Sequence, residues 1–328
     1  MFGLLRLLLA FGVMLSHLDV KIAGFNPGVA SVVVFFILSG RVTTQLIEKN
    51  NGVAYVYYLE RFLRLYPAYV FVLIISIITW RVFGVETLFL SRAPTIYDWL
   101  VNIMIVPLDF NMWRSATYFI LIPPAWSLGL EIQFYVLAPW ILRLESTMFA
   151  KIVLLSAMVW CAAQVNLINT DIWGYRFLPG TLFMFLTGGL IHRRRRGLLA
   201  ILWIIAFLTL VGEFYGFIAV REFNVETSFA FTVGVPLVML LSHLPRTAWD
   251  EYLGGLSYPL FLIHFLVIWL FRAQGVALDP INDYWVLGVA FGASAMVHQV
   301  AERPLIKLRY ALRERRIVFG KLGGGVIP

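Results

Sequence analysis

An all-α, polytopic bundle of about ten transmembrane helices is the fold this sequence predicts, and three observations predict it. The chain is 61% hydrophobic and 13% charged over 328 residues, against about one quarter charged in soluble domains. Apolar runs close to the ~20 residues needed to cross a hydrocarbon core recur from one end of the chain to the other. The cations, finally, are distributed unequally between alternate loops. Together these exclude a soluble enzyme, a disordered chain and a disulfide scaffold. The single cysteine, Cys161, sits inside an apolar run and can form neither an intrachain disulfide nor a thiolate metal cluster.

The first span is 4–18; no small-residue cleavage site or soluble domain follows it, so it reads as a helix and not as a signal peptide. The next nine are 29–47, 65–83, 124–142, 149–167, 178–191, 198–217, 228–243, 255–271 and 284–302, each bounded by charge, Pro or Gly. One further apolar piece, 99–108, is followed by Asp109, Asn111 and Arg114 and is too short to cross, which predicts a re-entrant or interfacial segment. The predicted organisation is a transmembrane domain over 1–306 and a basic cytoplasmic tail over 307–328.

Sidedness tests the count. With the N-terminus cytoplasmic, nineteen of the 26 cations fall on the inner side, including Arg6, Arg61, Arg64, the run 193–196 and seven from Arg303 to Lys321. That is the positive-inside bias, and it places both termini in the cytoplasm. The net charge of +8 therefore reads as topology and contact with membrane lipids, with no nucleic-acid partner.

An ionisable group within a bilayer costs on the order of 2.5–3.5 kcal/mol, so each one retained asks for a reason. Arg6 and His17 are eleven apart, which returns them to one helical face about 16 Å apart. His17 titrates near neutrality and can accept a hydroxyl proton; the alternative is that both side chains reach headgroups. Ser127 and Glu131, at i and i+4, share a face, with Glu131 either orienting His17, accepting the proton itself, or tying helix ends together. Arg61 and Arg64 share a face at a cytoplasmic helix start, where a guanidinium pair suits phosphate or simply fixes topology. His264, seven after Ser257 on one face, is either a functional group or an interhelical hydrogen-bonding partner, and the i, i+4 pair His298 and Glu302 reads as a structural tether. No Walker loop, dinucleotide-binding glycine set, hydrolase elbow or metal-ligand spacing is present in the sequence.

These residues, taken in order, resemble the acyltransferase-3 family of integral-membrane acyltransferases, with matches from Arg6 to Pro304. The family's basic residue and His with ten residues between them resemble Arg6 and His17. Its Phe-Phe-x-x-Ser-Gly segment resembles 35–40, which includes Ser39. Its Arg-x-x-Arg ahead of Tyr-Pro resembles Arg61, Arg64, Tyr66 and Pro67. Trp126, Ser127, Glu131, Gln133 and Tyr135, then Ser257, Tyr258 and His264, then Glu302, Arg303 and Pro304 continue the match. Ser31, Val33, Gly129 and Ile132 depart from it; Ile132 stands where relatives carry a second acid, so Glu131 alone would do any carboxylate work.

The resemblance implies transfer of an acyl group, commonly acetyl, from cytoplasmic acyl-CoA to a hydroxyl of an extracytoplasmic polysaccharide or glycolipid, in a bacterial cytoplasmic membrane. Taken with the residues' own chemistry, the expectation is His17, Glu131 and Ser127 as catalytic residues, Arg6, Ser39, Arg61, Arg64 and His264 as the donor's binding residues, and no metal. The rival expectation is a glycan or lipid exporter. Exporters carry internal repeats and broken midplane helices; no repeat is visible here, although Pro67, Pro139 and Pro236 are candidate breakers.

Overall fold

The computed structural model describes residues 2–50, 54–113, 119–245, 247–276 and 280–305. Arg114, Arg246 and the predicted tail lie outside the described residues. Each of the ten predicted spans is a helix: α1 (Gly3–His17), α2 (Pro27–Lys49), α3 (Ala54–Phe83), α5 (Ala125–Ile141), α6 (Ser146–Gln164), α7 (Leu178–His192), α8 (Arg196–Phe214), α9 (Asn224–Leu241), α10 (Ala248–Ala273) and α11 (Pro280–Val297). The eleventh apolar piece is the short α4 (Ile96–Met104), followed by 3-10 turns over Val106–Trp113.

Among the described residues, seven helical runs are long and apolar enough to cross a membrane; α1, α5 and α7 are shorter. Of these, α7 is interior, whereas α1 and α5 each keep an exposed face, which includes Leu8 and Trp140 respectively. In α7 every residue from Gly180 to Ile191 is buried, and its fifteen residues span only about 22 Å at ~1.5 Å each. A helix enclosed by its neighbours does not have to match the thickness of the lipid. Pro67, Pro139 and Pro236 lie inside helices that continue through them. The helical irregularities are instead two π turns, Ile172–Arg176 ahead of α7 and His298–Glu302 after α11.

Lipid offers no hydrophobic drive to bring helices together, so close backbone approach at small residues must do so. Gly40 of α2 sits against the Phe185 carbonyl of α7, and any Cβ at 40 would overlap it. The first turns of α1 and α10 are joined by a carboxylate: Asp250 accepts the backbone N–H groups of Gly3 and Leu4 at 2.9 and 3.0 Å. These two helices run parallel from that lower end and bring His17 and His264 together at the upper one. α4 is held to α3 by the Tyr66 and Tyr69 hydroxyls, which donate to the Ile103 and Asn102 carbonyls at 2.6 Å. Asn102 then fixes the chain ahead of α5, donating to the Phe119 carbonyl and accepting from Leu121 N–H at 2.9 Å each.

Candidate active site

A cavity of about 520 Å³ enters between the lower ends of α1, α2 and α10 and the start of α3, and ends beside the start of α5. On α2 its walls include both Lys49 and Val32, about 25 Å apart at ~1.5 Å per residue. Six of the eight predicted site residues line it: Arg6, Ser39, Arg61, Arg64, Ser127 and Glu131. His17 and His264 do not.

Glu131 is the centre of the polar cluster half-way up. The i+4 spacing on α5 puts Ser127, Glu131 and Tyr135 on one stripe, and α2 presents Ser39 to it. Glu131 accepts from the Ser39 and Tyr135 hydroxyls at 2.5 Å each. Gly40 explains the motif that carries Ser39, since the glycine lets α2 approach α7 while its neighbour turns toward the carboxylate. Ser127 donates to the Pro124 carbonyl at 3.1 Å. Among the described residues neither Glu131 nor Ser127 hydrogen-bonds His17, so the expected orientation of the imidazole by either of them is not made here.

The three arginines are not equivalent. Arg64 donates to Glu302 at 2.7 Å, whose other oxygen is hydrogen-bonded to His298 at 2.8 Å. The i, i+4 pair expected from the sequence is thus a tether that also holds an arginine of the cavity wall. Among the described residues Arg61 is bonded only to the Tyr135 hydroxyl, at 3.4 Å, with its guanidinium 5.2 Å from that ring's centre. Arg6 has no hydrogen-bond or ion-pair partner among the described residues. Of the three, Arg6 and Arg61 are therefore the guanidiniums with no carboxylate partner among the described residues. Tyr135 and Tyr258 line the same cavity and bind its arginines. Tyr135, part of the family resemblance but without a role in it, follows Glu131 by four residues, a spacing that puts both on one face of α5.

The cavity ends at Ser127, Leu128 and Phe261. One turn farther along α10 from Phe261, the His264 ring stacks on His17 with 5.4 Å between centroids and 15° between planes. Phe265 packs against both, at 4.5 Å from His17 and 5.4 Å from His264. His264 is fully buried, whereas His17, on the last turn of α1, is half-buried. The Phe261 ring, 6.3 Å from that of His264, separates the cavity from the pair. Above them Arg176 lies over the Trp126 ring at 4.6 Å and pairs with Asp171 at 2.7 Å.

The bundle thus combines an arginine-lined cavity with a stacked histidine pair beyond its end. The chain matches the acyltransferase-3 family, described as an acyltransferase domain, over residues 2–297 and belongs to it. It is also 31% identical over 207 residues, 58% of this chain and 90% of the relative, to an uncharacterized protein of Aquifex aeolicus (strain VF5). No solved structure matches the chain. Gly129, which departs from the family pattern, has a local reason: a Cβ there would lie 2.9 Å from the Ile105 carbonyl, where the 3-10 segment crosses α5.

Proposed function

We propose that this acyltransferase moves an acetyl group from cytoplasmic acyl-CoA to a hydroxyl of an extracytoplasmic polysaccharide or glycolipid, with both termini cytoplasmic in a bacterial inner membrane. One observation carries the reading: a cavity walled by Arg6 and Arg61, neither paired with a carboxylate among the described residues, reaches Phe261, whose ring lies against the stacked His17–His264 pair, and His17 is only half-buried. In this reading Arg6 and Arg61 hold the donor's phosphates, with Arg64 beside them. The donor's thin arm lies along α2 past Ser39 and Glu131. Phe261 turns aside to admit the thioester.

His17 takes the proton of the acceptor hydroxyl as its oxygen attacks the thioester carbonyl. The carbon–oxygen bond forms, the carbon–sulfur bond breaks, and the thiolate leaves with a proton returned from the imidazolium. The Glu131 cluster positions the arm instead of orienting His17. Family membership favours this over export, and the prolines that would break an exporter's helices lie within continuous ones.

The test is mass analysis of envelope glycans and lipids from cells with and without the gene, paired with thiol release from acetyl-CoA by the purified protein. Loss of acetyl esters in the deletion, and thiol release that depends on added envelope extract, is the expected result. Unchanged esters and no thiol release would overturn the assignment.

A further inference from the structure

His264 carries a hydrogen-bonding atom with nothing to bond. Its Nδ1 lies 3.1 Å from the Leu260 carbonyl. A carbonyl can only accept, so that nitrogen carries the hydrogen, and the neutral ring then presents Nε2 as an acceptor. Nε2 is buried and has no partner among the described residues. A buried polar atom left unpaired is costly, and native structures rarely tolerate one without a use.

His17 cannot be that partner in this arrangement. The lone pair of Nε2 lies in the plane of its ring, and His17 covers the face of the ring nearly parallel to it. Phe261 and Phe265, the other rings against His264, offer no donor. Among the described residues, then, none supplies the donor.

We infer that His264 Nε2 accepts a hydrogen bond from a second hydroxyl of the acceptor, adjacent to the one that reacts at His17, so that the site recognises a diol and not an isolated alcohol. The inference rests on the acyl-transfer reading and adds a residue and a specificity to it. Ring centroids 5.4 Å apart allow two neighbouring hydroxyls of one sugar ring to reach one imidazole each. His264 is here an acceptor-binding residue, and the proton of the reacting hydroxyl still goes to His17.

The experiment uses the full chain in detergent with acetyl-CoA and three kinds of acceptor: methyl hexopyranosides, their monodeoxy analogues and octanol. For a productive glycoside, removing the hydroxyl beside the acetylated one should lower kcat/KM by about ten- to hundredfold, the size of one uncompensated buried hydrogen bond. In His264→Phe, which keeps the ring packing without the acceptor atom, glycoside and deoxy analogue should be used within about twofold of each other. His264→Gln, whose amide oxygen can accept in place of Nε2, should restore most of the preference. A purely structural role for His264 would lower both rates together and leave their ratio unchanged, which overturns the inference. Wild-type protein that uses octanol or the deoxy sugar as well as the glycoside overturns it without any variant, so failure of His264→Phe to fold does not shelter it. Wild-type protein that transfers acetyl to none of the acceptors overturns the acyl-transfer reading and this assignment together, whereas transfer without diol preference overturns this assignment alone.

Discussion

Arg64 and Glu302, 238 residues apart in sequence, meet in an ion pair of 2.7 Å that joins α3 to the π turn after α11. Glu302 is 5% exposed and its second oxygen is hydrogen-bonded to His298, so the carboxylate is fully engaged. Removing one partner of such a pair strands the other, and breaking a buried pair costs about 3–5 kcal/mol. Arg64 keeps part of its side chain in contact with solvent, which puts the expectation for Glu302→Ala at the lower end of that range. Thermal unfolding in detergent measures it. Arg64→Ala/Glu302→Ala should be less destabilised than the sum of the single variants; strict additivity would show that the pair is not coupled.

Because Arg64 is committed to Glu302, the donor's phosphates are expected to depend more on Arg6 and Arg61. Each of Arg6→Ala and Arg61→Ala should weaken acyl-CoA binding by about tenfold at low salt, with the deficit shrinking as salt screens the wild-type interaction. Calorimetric titration of acetyl-CoA at two ionic strengths reads this out. An unchanged affinity in both variants would remove the phosphate assignment.

The acid limb of stability has a candidate outside the spans. Burial alone would raise the Asp98 carboxyl, but hydrogen bonds from Thr95 and the Arg92 guanidinium outweigh it and hold the group below the usual carboxylate range. A group held lower in the folded state stabilises the fold above its unfolded pKa, and that contribution disappears as pH falls through the folded value. Wild-type melting temperature should therefore drop on acidification below the ordinary Asp range, and Asp98→Asn should be less stable at neutral pH with a flatter acid limb. Parallel pH curves for the two proteins would contradict this.

Gly40 gives a prediction about packing. A methyl group at 40 meets the Phe185 carbonyl, backbone that cannot rotate away, so Gly40→Ala must push α2 from α7. The expected cost is about 1–3 kcal/mol, as for other overpacked sites, and Ser39 should lose its register with Glu131. Lower thermal stability together with reduced activity is the predicted outcome; a neutral Gly40→Ala would show that the helices have room.

Much of the fold was legible because bilayer thickness imposes a length on lipid-facing helices. The ten apolar runs became ten helices, and the short piece at 99–108 became α4 with its 3-10 turns. The same reasoning could not say that α7 is enclosed by its neighbours, since its hydrophobicity is that of a lipid-facing span. At the site, periodicity placed Ser127 and Glu131 on one face, and the cavity bears that placement out. Periodicity reports faces within one helix and not contacts between helices. It therefore could not give Glu131 its bonds to Ser39 and Tyr135, commit Arg64 to Glu302, or stack His264 on His17.

His17 stands beyond the cavity's end, and its side chain makes no hydrogen bond among the described residues. Turnover of acetyl-CoA by folded His17→Ala, with donor affinity measured on the same sample, tests its role most directly. Donor binding should stay within about twofold of wild type while kcat falls by about 10² to 10⁴, the usual contribution of a general base. A folded His17→Ala protein that transfers acetyl at the wild-type rate would contradict that role.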